Sequence, residues 1–274
     1  MIILSSKEAR QILSGAEEVS LDLGRKLYKV DLKDDSVSFP DGQSVDIKFL
    51  KKIAGDNNNV FLIDSNEVLK ASFFSDDTNR LYTLRPTATW PALEISGILM
   101  HRVKGTDPKA AAEEMIAALS PMSGKVLDTC CGLGYTAILA SKSADVTVFE
   151  KDQNVLEMCK INPYSQELFT GKRIRFIHGD SLDGITEFPD ESFNFVIHDP
   201  PSISIAGEMY SDELYSQIFR VLKHNGKLLH YTGEPGSRAR GVDLPKSVSG
   251  RLKGAGFKKV SYDSKILSVL ALKD

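Results

Sequence analysis

The sequence predicts an α/β protein, in which a mostly parallel sheet with helices on both faces follows a smaller, β-rich N-terminal domain. From residue 125 to the C-terminus, apolar β-like runs alternate with helical patterns, which is typical of parallel sheets. Before residue 85, short β-like runs are separated by turn signals instead, which indicates antiparallel strands.

The N-terminal stretch begins with a short capped helix predicted over residues 5–13. We place a β-rich domain at residues 1–85, with a role in substrate binding or in dimerisation as a homodimer. The predicted strands, divided by turns such as Pro40-Asp41-Gly42, are Val19–Leu23, Leu27–Leu32, Val37–Phe39, Val45–Leu50, Val60–Ile63 and Val68–Phe74.

Residues 86–106 predict a packed connector between two domains. They contain Trp90, the only tryptophan, and the pair His101-Arg102, which we consider candidates for the border of an active site. Asp107 then predicts a helix cap, with Pro108 at the first helical position and Leu119 near the end.

Residues 125–137 predict a nucleotide cradle made of a strand, a Gly-x-Gly turn and a helix. Gly132 and Gly134 suit a turn whose backbone passes close to a ligand. With Ala137 they also fit the dinucleotide fingerprint, so NAD is an alternative. Asp128, at the strand end, favours a ligand with a cationic amine, which S-adenosylmethionine (SAM) has and NAD lacks.

The alternation continues after this cradle, ending in two strands that predict a C-terminal hairpin. The predicted strands are Val146–Phe149, Ile174–Ile177, Phe193–Ile197, Lys227–Tyr231, Val260–Tyr262 and Ile266–Leu272, and the predicted helices are Asn154–Ile161, Asp212–Leu222 and Ser247–Ala255.

Composition excludes several classes. The 274 residues carry a net charge of −3 and are 42% hydrophobic, with no apolar run long enough to predict a membrane span. Three cysteines without metal-like spacing predict a reduced, cytoplasmic protein without a metal. Residues 126–200 carry 6 basic against 12 acidic residues, whereas residues 201–274 carry 12 against 7, which suggests a basic C-terminal part that faces phosphates.

Carboxylates follow three further strands. Glu150 is placed to accept the two hydroxyls of a ribose, and Asp180 follows the third strand, where it can also cap a helix. Asp199-Pro200-Pro201 follows the fourth. An amino or amide nitrogen is a poor nucleophile because its lone pair is delocalised. Asp199 and the Pro200 carbonyl can each accept one N–H bond and stabilise the positive charge that develops on this nitrogen.

The motifs together resemble class I SAM-dependent methyltransferases over about residues 107–274. The resemblance implies a Rossmann-like methyltransferase fold, a seven-stranded sheet with a C-terminal hairpin, and SAM as cofactor. It also implies a catalytic motif at Asp199, Pro200, Pro201 and Ser202. The implied cofactor-binding residues are Asp128, Cys130, Gly132, Gly134, Tyr135, Glu150, Lys151, Asp180, Ser181 and Asp199.

Ser202 departs from this pattern, because amino-methyltransferases carry an aromatic residue there that stacks on the target base. Tyr210, Tyr135, Trp90 or His101 could stack instead, and we treat His101, Arg102 and Tyr210 as substrate candidates. The chain, including residues 93–102 and 105–108, also resembles a family of archaeal predicted methyltransferases.

We therefore expect methylation of an exocyclic amino nitrogen in RNA, rRNA or tRNA: cytosine N4, guanine N2 or adenine N6. Residues 207–215 are similar to the segment after the catalytic aspartate of spermidine synthases, so a polyamine-type aminopropyltransferase is an alternative, although the Gly-Gly-Gly-Asp-Gly loop is absent. Methylation of a protein glutamine amide or a small molecule, and a non-catalytic binding module, are the others.

Overall fold

A computed structural model describes residues 1–233 and 243–274 of the chain. These residues divide into two compact units. The first comprises Met1–Lys109 and Glu157–Tyr164, and the second comprises Ala110–Leu156 and Ser165–Asp274.

Short antiparallel strands dominate the first unit, in agreement with the predicted β-rich region. They form sheets in the orders β1-β7-β8, β2-β3, β4-β5-β6 and β12-β11-β10-β9. Their bounds are β1 Ile2–Leu4, β2 Glu18–Ser20, β3 Leu27–Lys29, β4 Asp31–Leu32, β5 Ser36–Ser38, β6 Ser44–Asp46, β7 Phe61–Asp64, β8 Glu67–Lys70, β9 Ser72–Ser75, β10 Arg80–Arg85, β11 Ala92–Ile95 and β12 Ile98–Leu99.

Helices account for the remaining regular structure. Several short 3₁₀ segments accompany them, including one over Gly207–Tyr210. The helices are α1 Ser6–Leu13, α2 Ile47–Gly55, α3 Pro108–Leu119, α4 Tyr135–Ala140, α5 Gln153–Ile161, α6 Glu167–Thr170, α7 Ser181–Gly184, α8 Asp212–Val221 and α9 Leu244–Gly254. Within the described residues, no helix is long and apolar enough to cross a membrane.

The strand predicted over Val45–Leu50 is wrong beyond residue 46, where α2 begins. The Asp46 carboxylate accepts a hydrogen bond from the Lys48 amide at 2.7 Å and caps the helix. Leu50 and Ile53, three residues apart, are both buried, as expected for the inward face of a helix. The apolar run therefore has helical rather than alternating periodicity.

The connector predicted at residues 86–106 is also corrected, because it contains β11 and β12. β11 pairs antiparallel with β10, so that Arg85 lies opposite Ala92 and Thr83 opposite Glu94. The Arg85 guanidinium donates two hydrogen bonds to the Glu94 carboxylate, at 2.9 and 2.5 Å. Such a cross-strand ion pair stabilises the pairing, and it could not be seen in either run taken alone.

A seven-stranded sheet forms the centre of the second unit, which confirms the predicted fold. Its order is β15-β14-β13-β16-β17-β19-β18, and all pairs from β15 to β17 are parallel. β19 runs antiparallel to β17 and to β18, which gives the predicted C-terminal hairpin. The bounds are β13 Lys125–Asp128, β14 Asp145–Glu150, β15 Ile174–His178, β16 Phe193–His198, β17 Leu222–Tyr231, β18 Lys258–Asp263 and β19 Ser268–Leu272.

Burial explains why these segments form this sheet. Val126, Leu127, Val196, Ile197 and Leu228 are fully buried, as expected for strands covered on both faces. Helix packing adds the aromatic and aliphatic residues of α8 and α9 to the same core. The order of strands places the ends of β15, β14, β13 and β16 side by side.

Candidate active site

Four acidic residues follow four neighbouring parallel strands. Asp128 ends β13, Glu150 ends β14, Asp180 lies two residues after β15, and Asp199 comes directly after β16. Because neighbouring parallel strands end at the same edge of a sheet, these acids line one edge, where ligands bind in open α/β folds. The predicted positions of the four residues along the sheet are thus confirmed.

The glycine turn after β13 opens onto this edge. Gly132 and Gly134 have φ values of +54° and +80°, a region that glycine adopts without strain. A Cβ atom at Gly134 would lie 2.3 Å from Leu168 Cδ1, so this glycine is needed for packing. A Cβ at Gly132 would meet no atom within 4 Å. The turn therefore leaves open space in front of Gly132, as a ligand cradle requires.

Asp128 is a buried acid at the base of this cradle, with 0% of its surface exposed. Its carboxylate accepts hydrogen bonds from Thr136 Oγ1 at 2.7 Å and from the Cys130 amide at 3.2 Å. Burial, with a smaller contribution from the charge of Asp199, raises the pKa of Asp128 to about 7. A ligand ammonium beside it would favour the ionised form.

Glu150 lies against the glycine turn. It accepts hydrogen bonds from the Gly132 amide at 3.0 Å and from the Asp152 amide at 2.9 Å. Burial raises the pKa of Glu150 to about 7 despite these bonds. A carboxylate offers about four acceptor positions, so two remain for hydroxyl donors of a ligand.

Asp180 has a structural role that the sequence already suggested. One of its oxygens accepts from the Leu182 amide at 2.9 Å and caps α7. The other forms an ion pair with Lys151 Nζ at 2.7 Å, which places the predicted Lys151 at the same edge. Ser181, the first residue of α7, is buried beside them.

Asp199-Pro200-Pro201-Ser202 passes from the buried strand to an exposed loop. Asp199 is partly buried and Pro200 is buried, whereas Pro201 and Ser202 are exposed. The Tyr210 hydroxyl donates a hydrogen bond to the Pro201 carbonyl at 3.1 Å, which fixes the backbone of the motif.

The Ser202 hydroxyl lies 3.0 Å from that of Ser204. Ile203 and Ile205 follow it with 45% and 37% of their surfaces exposed. Exposed isoleucines and a serine thus occupy the stretch where an aromatic residue was expected. Tyr210, one of the residues considered for stacking, is itself buried.

A buried network behind the motif was missed by the sequence analysis. His198, the last residue of β16, lies opposite His230 of β17, with ring centroids 4.4 Å apart. His198 Nε2 donates to the Met209 carbonyl at 2.8 Å, and its Nδ1 accepts from Thr129 Oγ1 at 2.6 Å. His230 Nε2 accepts from the Tyr215 hydroxyl at 3.0 Å.

Burial keeps both imidazoles neutral. It lowers the pKa of His198 to about 4, and it lowers the pKa of His230 well below its ordinary value. The network joins the end of β13, the Asp199 motif and the 3₁₀ turn before α8. Only the strand register brings these histidines together, and no sequence spacing signals it.

Two predicted cofactor residues face the protein interior. Tyr135, the first residue of α4, is buried. Burial, with the charge of Glu150, raises the pKa of the Cys130 thiol well above its usual value, so this cysteine is not a reactive thiolate.

His101 and Arg102 belong to the first unit, whereas the other predicted site residues belong to the second. His101 Nδ1 accepts a hydrogen bond from the Leu93 amide at 3.2 Å, and burial lowers its pKa to about 4. Arg102 Nη1 is buried and has no hydrogen-bond partner among the described residues. Trp90 packs on Tyr164 in the same unit, with ring centroids 5.5 Å apart.

The residues at the sheet edge fit SAM. The open turn at Gly132 leaves space for a ligand, Glu150 offers acceptors to ribose hydroxyls, and the buried Asp128 carboxylate suits a cationic amine. NAD would leave Asp128 buried without such a partner, which is costly for a charged group.

Comparisons with known proteins agree with this geometry. Residues 126–226 match the sequence family described as methyltransferase domain. Over 282 aligned positions the chain is 45% identical to the uncharacterized protein MJ1233 of Methanocaldococcus jannaschii, covering 100% of this chain and 96% of MJ1233.

Two more distant similarities point to polyamine enzymes. The chain is 25% identical to polyamine aminopropyltransferase 2 of Streptomyces coelicolor over 171 residues, which is 59% of this chain but only 30% of that protein. The structure of spermidine synthase from Thermotoga maritima superposes with a TM-score of 0.58 at 17% identity, covering 77% of this chain and 76% of that one. At this identity the superposition shows the fold alone. The chain therefore belongs to the same family as MJ1233, and it is a SAM-dependent methyltransferase of the class I fold.

Proposed function

We propose that the enzyme methylates an exocyclic amino nitrogen of a nucleobase in RNA: cytosine N4, guanine N2 or adenine N6. The observation that carries the proposal is the Asp199-Pro200-Pro201 motif, which follows a central strand next to the cofactor edge. A carboxylate and a rigid backbone carbonyl at this position suit an acceptor with two N–H bonds.

The motif acts by binding the acceptor's N–H groups. Asp199 and the Pro200 carbonyl accept one hydrogen bond each, which turns the nitrogen lone pair out of conjugation. These acceptors also stabilise the positive charge that grows on nitrogen, so they bind the transition state better than the ground state. Proline fixes the backbone, and the Tyr210 hydroxyl holds the next carbonyl in place.

The cofactor edge has the complementary role. Asp128 would hold the ammonium end of SAM, and Glu150 would hold its ribose hydroxyls. SAM supplies a methyl group on a sulfonium. Asp128 and Glu150 thereby orient the cofactor, and neither has to exchange a proton with the acceptor.

The exposed loop supports a large acceptor. Ser202, Ile203 and Ile205 are all exposed beside the motif, so the acceptor side is open to solvent rather than enclosed. Isoleucine side chains can pack against the face of a base in place of the usual aromatic residue. The role of the first unit, in acceptor binding or in homodimerisation, is part of this proposal, and light scattering of the purified protein decides whether it dimerises.

Aminopropyl transfer to a polyamine is the second candidate. It is favoured by the similarity to polyamine aminopropyltransferase 2, which includes the motif region, and by the concentration of carboxylates at the sheet edge. Such carboxylates would attract a cationic amine. This reaction would use decarboxylated SAM, so the two candidates differ in which cofactor form binds.

The test is a comparison of a deletion strain with its parent. RNA nucleosides and polyamines from both are measured by mass spectrometry. Loss of one N-methylated nucleoside, restored by the wild-type gene but not by the Asp199→Asn variant, supports RNA methylation. A changed polyamine profile with unchanged nucleosides supports the second candidate. If both profiles stay unchanged, a protein glutamine amide or a small molecule becomes the acceptor and the RNA proposal is wrong.

A further inference from the structure

Basic side chains gather at the starts of the parallel strands, at the opposite edge of the sheet from the carboxylates. Lys125 begins β13, Arg175 belongs to β15, and Lys172 and Arg173 directly precede β15. All four line one surface cavity of about 460 Å³. Within the described part of the chain, Asp145 is the one acid in this lining.

This cluster is poorly neutralised. Arg173 Nε lies 3.9 Å from Asp145 Oδ1, and the two side chains are 55% and 72% exposed, so the pair is weak. Acids at the next turn are paired with cations that do not line the cavity: Asp190 with Arg220 at 2.8 Å and Glu191 with Lys273 at 3.7 Å. The cavity therefore has an excess of positive charge, although the surrounding stretch of sequence is acidic.

The cavity also has a rigid, partly aromatic floor. Phe188 and Phe193 line it, with ring centroids 5.0 Å apart in an edge-to-face arrangement. The Lys125 amide donates to Asn194 Oδ1 at 2.9 Å, which fixes the start of β13 against β16. Cations around aromatic side chains are the combination that binds nucleotides without sequence preference.

Protection of an exposed sheet edge does not account for the cluster. β15 is an edge strand, and charges on edge strands discourage pairing with other chains. Lys125, however, begins the central strand β13, which has partners on both sides. The cluster thus extends across the sheet towards its interior.

We propose that this cavity, lined by Lys125, Lys172, Arg173 and Arg175, binds backbone phosphates of the RNA acceptor. The inference rests on the proposed function, in which RNA is the substrate. Strands of four to six residues separate the two sheet edges by about 13–20 Å. An RNA molecule can span this distance, so one part of it is held by phosphates while another presents the target base.

Binding is tested with a fluorescein-labelled, single-stranded RNA of mixed sequence, measured by fluorescence anisotropy between about 50 and 200 mM KCl. The variant K172Q/R173Q/R175Q removes three cavity cations. The matched control K246Q/K253Q/K258Q removes three exposed lysines elsewhere in the same unit. Asp145→Asn removes the cavity's acid, and calorimetry with S-adenosylhomocysteine checks that every variant keeps the cofactor site.

We expect the cavity variant to bind RNA at least tenfold more weakly at low salt. Its slope of log affinity against log salt falls by about 2, at about 0.7 for each phosphate that the variant no longer neutralises. The control stays within threefold of wild type, and Asp145→Asn binds more tightly. Equal losses of affinity in the cavity and control variants, or no RNA binding by wild type, overturn the proposal.

Methyl transfer separates this proposal from the proposed function. If the wild-type enzyme methylates RNA and the cavity variant does so with an unchanged KM, the cavity proposal is wrong while RNA methylation stands. If the cavity variant loses RNA binding but the wild type transfers no methyl group to RNA, the cavity stands and the proposed substrate is wrong.

Discussion

Asp128→Asn should stabilise the ligand-free protein while weakening SAM binding. The wild-type carboxylate is fully buried, and its pKa is raised to about 7 from an ordinary value of 3.8. Asparagine has the same shape. Its amide can accept from the Cys130 N–H and donate to Thr136 Oγ1, which replaces both hydrogen bonds of the carboxylate. The substitution therefore removes a charge without leaving a cavity.

The size of the stability effect follows from the pKa. In the folded chain Asp128 keeps its proton up to about pH 7, whereas in the unfolded chain it ionises near pH 3.8. Between these values the unfolded state binds fewer protons, so the free energy of unfolding falls as the pH rises. A shift of about three units corresponds to about 4 kcal/mol, present in full above pH 7 and absent below pH 3.8. The asparagine variant avoids this loss.

The affinity effect has the opposite sign. A hydrogen bond to a charged group contributes about 1.5–3 kcal/mol, which is about 10- to 150-fold in affinity. Asp128→Asn should lose this for SAM but bind adenosine normally, because adenosine lacks the amino-acid end. Glu150→Gln is the matched control, and it should weaken SAM and adenosine alike.

Two measurements check this prediction. Melting temperatures of wild type and variant between pH 4 and 8 should diverge in favour of the variant as the pH rises, and calorimetry should show the loss of SAM affinity. Binding of SAM to wild type at pH 6.5 should also release protons, since the ammonium lowers the pKa of Asp128. A variant that is less stable than wild type at pH 8, or that binds SAM and adenosine with equal losses, would refute the reasoning.

Three further predictions concern the turn and the motif. Gly134→Ala should lower the melting temperature in a thermal scan, because its Cβ would collide with Leu168 at a positive φ; an unchanged value would contradict the packing role. Tyr210→Phe removes the donor to the Pro201 carbonyl, and we expect about a tenfold lower kcat with an unchanged SAM affinity. Asp199→Asn should raise the barrier by about 2.7–4 kcal/mol, seen as a 10²- to 10³-fold lower kcat in single-turnover assays, and near-normal turnover would exclude its proposed role.

Much of the cofactor site could be predicted from local sequence. Asp128, Glu150 and Asp199 each follow a recognisable apolar strand, and parallel strands bring their ends to one edge. Gly132 and Gly134 were recognisable because a tight turn needs their backbone freedom. In each case a short stretch of chain contains the whole signal.

The rest depends on pairing between distant segments. His198 and His230 meet only through the register of β16 and β17. β11 is stabilised by a cross-strand ion pair with β10, and α2 by a cap that ends a short strand. The basic cavity was hidden because residues 126–200 are acidic in total, while the fold separates their charges to opposite edges of the sheet.

Methyl transfer by the purified enzyme tests the central claim most directly. RNA from a strain lacking the gene is incubated with wild-type protein and SAM carrying a deuterated methyl group, then digested to nucleosides and analysed by mass spectrometry. The account predicts one labelled nucleoside, with the label on an exocyclic nitrogen, and its absence with Asp199→Asn. A label on carbon or on ribose oxygen, or equal labelling by the Asp199→Asn protein, would contradict it.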